Sequence, residues 1–177
     1  IVVRDDSGEV VGRVIGCGLS SGSQRDNLVA RYPDPSGPQP AVGMLHGTLV
    51  TGSDIDRGAV AIARPDDLAA KPYRYWALGH VHRREQVLER PAAHYPGPLI
   101  AHDFSEGGAL GALLVTLPAS GPPVVEFRSL ATVRWETIVL DQLEEVADPV
   151  ALRGQAEAAV DDLRTSPDAR DDQTWLL

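Results

Sequence analysis

Five histidines are the residues of this 177-residue chain best placed to do chemistry: His46, His80, His82, His94 and His102. Three of them follow apolar runs at glycine-flanked corners. His46 sits in Leu45-His46-Gly47, and two more form Gly79-His80-Val81-His82. In extended backbone, side chains two positions apart point the same way, so His80 and His82 are expected to face one site. Gly79 is expected to let the chain turn sharply where a strand ends. Imidazole nitrogen suits Zn, Mn, Fe and Ni among other divalent metals, so the residue type indicates a class of ion without selecting one. Taken alone, a His-x-His pair more often marks surface or core histidines than a metal site.

Two short apolar runs must position these groups. Ala41 to Leu45 reads as a buried strand delivering His46 at its C-terminal end, and Tyr73 to Leu78 as a second strand ending at Gly79. If the two are neighbours, the three histidines converge on one edge of a sheet.

Around them the pattern is mixed. Residues 1–4 and 9–17 read as a hairpin joined by Asp5-Asp6-Ser7-Gly8. A short helix is expected over 24–32, broken at Pro33, and another over 65–71 after Arg64-Pro65. Residues 33–40 carry four prolines and read as an irregular loop. Segments 85–89 and 93–96 read as a β pair, and 97–108 as a loop. Residues 109–117, 123–130 and 132–140 read as three strands in a meander, the first two separated by Ser120-Gly121-Pro122-Pro123. Residues 148–164 read as a helix with Asp148 as cap and Pro149 at its first position. Val150, Leu152, Ala156, Ala159, Val160 and Leu163 would form its apolar stripe. The class is α/β, with antiparallel sheet dominating the second half.

Composition bounds the function. Sixteen basic residues stand against 25 acidic, a net charge of −9. Residues 141–177 carry ten acids and three arginines, so the body is nearly neutral and the tail acidic. No basic patch of the kind that neutralises nucleic-acid phosphates is evident. The single lysine, Lys71, reflects a composition bias rather than a site. One cysteine, Cys17, rules out an internal disulfide framework and a cysteine-built zinc site. No apolar run is long enough to span a membrane, and no signal-peptide pattern is visible; both fit a cytoplasmic protein. The chain opens on Ile1 inside a strand, which points to natural sequence upstream or to processing.

Taken together, Pro40 through Gly47, Tyr75 through Glu85 with its Gly79-His80-Val81-His82, and Tyr95-Pro96-Gly97-Pro98-Leu99 resemble the C-terminal half of a calcineurin-like metallophosphoesterase. More narrowly they resemble the bacterial DNA repair exonucleases of the SbcD type. Phe104 through Gly111, and Val124 through the Arg134-Trp135 pair, extend the likeness over residues 1–140.

The resemblance implies a two-sheet β-sandwich flanked by helices in four αββα layers, with the N-terminal half absent from this chain. Residues 1–140 would be the C-terminal half of the phosphoesterase domain. Residues 141–177 would begin an accessory or capping region, or form an acidic tail. It implies two divalent metal ions, manganese foremost, with His46 and His80 on one and His82 on the other, and hydrolysis of phosphodiester bonds by the paired ions. It further implies DNA as substrate, a coiled-coil ATPase subunit of the SbcC type as partner, and dimerisation.

The family's Asp-x-His, Gly-Asp and Asn-His motifs are not in this sequence, so the chain alone is expected to be weak or inactive. His94 and His102 do not fall at ligand positions of the motif and read as structural or surface residues. Asp54 and Asp56 read as a solvated turn or helix start. The loop Leu99 to Leu110, with His102 and Asp103, lacks the basic residues that relatives carry there. A phosphatase or cyclic-nucleotide phosphodiesterase of the same superfamily is the second reading, and a non-catalytic binding module the third.

Overall fold

The computed structural model describes residues 1–176 except 54, 142, 168 and 171, and of Glu145 only the backbone. Asp54 therefore lies outside the described residues. The chain divides into two units, Ile1–Gly97 with Leu113–Glu126, and Pro98–Ala112 with Phe127–Leu177.

The first unit is built on a six-stranded sheet. Its strands are β1 (Val2–Arg4), β2 (Val10–Gly16), β3 (Ala41–His46), β4 (Tyr75–Gly79), β5 (Arg84–Glu89) and β6 (Ala92–Pro96), in the order β1-β2-β3-β4-β6-β5. The inner four run parallel, and the outer two pair antiparallel to their neighbours. The β1–β2 turn forms where its residues predict. The Asp5 carboxylate accepts the Ser7 and Glu9 amides at 3.0 Å each, and Gly8 takes φ +84°.

β3 shows why the sheet has a core side. Ala41, Gly43 and Leu45 are buried, whereas Met44 and His46 are exposed, a period of two. The buried set packs with Trp76 and Leu78 of β4, Ala93 and Tyr95 of β6, Leu68, and Leu28 and Val29. Gly43 is required here, because a Cβ would lie 2.4 Å from Cε3 of the Trp76 indole. Trp76 is fully buried and contacts Tyr32 and Tyr73 at centroid distances of 5.1 and 4.8 Å.

The helix expected over 24–32 is only a 3₁₀ turn, Leu28–Arg31. Asn27 caps it by accepting the Val29 amide, and the chain is extended again at Tyr32, the residue before Pro33. The second expected helix is α1 (Pro65–Ala69).

Strands β7 (Gly111–Thr116) and β8 (Val124–Ser129) pair as a separate ribbon. A Cβ on Gly111 would fall 1.9 Å from the Arg128 carbonyl oxygen, so only glycine permits this approach. β8 alternates exposed and half-buried residues, as a sheet with one wet face requires.

The third strand of the expected meander needs correction. Leu130 and Ala131 both donate to the Leu110 carbonyl, which turns the chain out of the ribbon. Only Val133–Trp135 remains extended, as β9, and it pairs in parallel with β10 (Thr174–Leu176).

In this second unit Arg134 is 6% exposed. It pairs with Glu136 at 2.6 Å and lies 4.6 Å from the Trp175 ring centroid. Phe104 meets Trp135 edge to face at 4.5 Å, and the Gly108 amide donates to the Trp135 carbonyl. The helix α2 (Pro149–Arg164) is capped by Asp148 through the Val150 and Ala151 amides, at 2.9 Å each. It buries none of its described side chains. Of the expected apolar stripe, Ala156, Ala159, Val160 and Leu163 are half-buried, whereas Val150 is 67% exposed and Leu152 39%. Among the described residues no helix is long and apolar enough to cross a membrane.

Candidate metal centre

Strands β3 and β4 are neighbours and parallel, with His46 opposite Gly79. That register brings the two glycine corners together. The Gly47 amide donates to the Gly79 carbonyl at 3.1 Å, tying the turn after His46 to the end of β4. The His46 and His80 rings stand edge to face, with centroids 5.3 Å apart.

Glycine is needed for room at position 47, and position 79 is tight. A Cβ on Gly47 would lie 2.7 Å from the Ala61 carbonyl oxygen, and one on Gly79 would lie 3.2 Å from Nδ1 of His46. The unusual backbone belongs to His80 itself, at φ +99°. A non-glycine residue there is strained by about 1–3 kcal/mol, the kind of cost that concentrates at functional positions. The premise of extended geometry over His80 and His82 is corrected accordingly: β4 ends at Gly79, and both histidines lie beyond it in bends.

Burial first, and then the neighbouring His46 and His82, push the His80 imidazole below the ordinary histidine range. A hydrogen bond to the Gly58 backbone and the charge of Asp56 pull the other way. Neutral imidazole is the ligating form, so the His46–His80 pair with its backbone support fits a divalent cation. Histidines 46, 80 and 82 do not form a closed cage. Among the described residues no group of three or more His, Cys, Asp or Glu is arranged to hold a metal ion.

His46 also lines a groove of about 640 Å³ at the C-terminal ends of the parallel strands β2, β3 and β4, with Ile15, Cys17, Met44, Ala77 and Gly79 on its walls. In parallel sheets that end is the usual place for a ligand.

The other histidines are placed differently. The His94 ring stacks on Tyr75 at 5.6 Å, and its Nδ1 is buried without a hydrogen-bond partner among the described residues. His102 is exposed, and its amide donates to Glu106 at 2.7 Å. Asp56 is exposed and accepts the Gly58 amide at 2.9 Å, as a turn residue does. Its proximity to His80 was not anticipated, because no local pattern links positions 56–58 to position 80.

No family model matches this chain. It is 35% identical over 139 residues to the uncharacterized metallophosphoesterase YhaO of Bacillus subtilis (strain 168). The match covers 77% of this chain and 33% of that protein, so the chain spans about a third of the length of the curated relative it matches. This likeness supports the metallophosphoesterase superfamily. It does not single out the nuclease branch.

Proposed function

We propose that this chain is the C-terminal part of a metal-dependent phosphodiesterase whose ions are bound by His46, His80 and His82. The observation carrying this reading is the pairing of the His46 and His80 rings, 5.3 Å apart on the adjacent ends of β3 and β4. The relative's superfamily supports it.

When bound, divalent cations supply Lewis acidity to the phosphoryl oxygens and activate water. The chain's own residues do the rest. Burial holds the His80 imidazole below the ordinary histidine range, which favours the neutral, ligating form. His46 is fixed opposite it by the β3–β4 ladder. The exposed sheet face bearing Met44 and His46 is where the second sheet of a four-layer sandwich would pack, bringing the carboxylates that these histidines lack.

The substrate we favour is DNA at double-strand ends, in an SbcD-type nuclease using manganese, partnered by a coiled-coil ATPase subunit and dimeric. The full-length protein should cleave duplex DNA ends in Mn²⁺, and His80→Ala should abolish the cleavage. Full activity in that variant would refute the assignment.

A second reading, a phosphatase or cyclic-nucleotide phosphodiesterase, is favoured by the −9 net charge and by the loop 99–110, which carries Asp103 and Glu106 and no basic residue. Faster turnover of a small phosphodiester than of DNA ends would select it.

A further inference from the structure

The turn after His46 is held from two sides. On one side its backbone pairs with residues 60–63: the Thr48 amide donates to Val60, the Ala63 amide to Thr48, and the Val50 amide to Ala63. The alternate groups, the Gly47 carbonyl and the Leu49 amide, face the other way and meet no strand. A single side chain takes both. The Tyr95 hydroxyl donates to the Gly47 carbonyl at 2.7 Å and accepts from the Leu49 amide at 3.0 Å. Tyr95 is 2% exposed and projects from β6, two strands away from β3 in the sheet order.

We infer that Tyr95 is a positioning residue for the metal centre, its hydroxyl standing in for a missing β-strand and fixing the turn that sets His46 against His80. Resting on the proposed metal-binding reading, this adds a residue that touches neither ion nor substrate. Buried backbone donors and acceptors left unpaired are costly, so loss of the hydroxyl should shift the turn despite its other backbone bonds. Phenylalanine in its place fills the same volume while orphaning both groups at once.

The test compares Tyr95→Phe with Tyr73→Phe. Tyr73 is a buried tyrosine of the same core whose hydroxyl donates to Pro33, away from the histidines. Two NMR readouts are used, the inter-ring NOE between His46 and His80 and the affinity for Mn²⁺ from broadening of the ring resonances. Tyr95→Phe should lose the NOE and bind Mn²⁺ about 10–100-fold more weakly; Tyr73→Phe should change neither. An undiminished NOE in Tyr95→Phe would overturn the inference.

Hydrogen exchange on the unmodified protein needs no variant. A Leu49 amide as protected as the β3–β4 ladder supports the clamp, and one exchanging at the rate of an open loop refutes it. If the unmodified protein keeps the NOE but shows no Mn²⁺ broadening, the metal reading fails while the clamp stands.

Discussion

The Gly47 amide and the Gly79 carbonyl, 3.1 Å apart, join the two corners that carry His46 and His80. The bond exists because β3 and β4 are parallel neighbours in the register that sets His46 beside Gly79. Gly47 cannot accept a side chain, since a Cβ would press on the Ala61 carbonyl at 2.7 Å. Gly47→Ala should therefore move the turn and cost about 1–3 kcal/mol in urea unfolding. Unchanged stability together with unchanged histidine ring shifts would show that the corner is looser than described.

Gly43 makes the same point inside the core. With the Trp76 ring 2.4 Å from the position of a Cβ, Gly43→Ala must displace the indole. A loss of about 1–3 kcal/mol and a changed near-ultraviolet circular dichroism spectrum are expected. A native-like spectrum at unaltered stability would contradict this packing.

His80 separates strain from function. Its φ of +99° suits glycine and opposes any residue with a Cβ. His80→Gly should be more stable than His80→Ala by about 1 kcal/mol, although both lose the imidazole. Urea midpoints compared at equal m-value check it, and equal midpoints would show that the backbone is relaxed.

His94 predicts a pH dependence. Burial lowers its ionisation below the unfolded value of 6.5, so in acid the unfolded chain binds the proton more readily. The stability this group contributes is complete above pH 6.5 and is lost as pH falls through the folded value. His94→Gln should flatten the stability profile below pH 6.5 relative to the parent. An identical slope in both proteins would assign the acid sensitivity elsewhere.

What was legible in the sequence was local. The apolar run Ala41–Leu45 gives a strand, though not its exposed Met44 face, Asp148-Pro149 gives a helix start, and Asp5 through Gly8 gives a tight turn, because each depends on neighbours in the chain. The pairing of His46 with His80 was legible only on the condition that the two strands adjoin. What was missed depends on distant partners. β9 pairs with β10 some forty positions later through only three residues, too short a stretch to leave a pattern. The approach of Gly58 to His80, and of Tyr95 to Leu49, brings together segments that no periodicity connects. The strain at His80 was misplaced onto Gly79, since glycine is the usual owner of a positive φ and only the backbone shows otherwise.

The central claim is that His46, His80 and His82 bind metal and the other two histidines do not. It is tested most directly by titrating Mn²⁺ into the protein and following all five imidazole resonances. The account predicts selective broadening of His46, His80 and His82 at substoichiometric Mn²⁺, abolished by His80→Ala, with His94 and His102 unaffected. Equal broadening of all five, or none, would contradict it.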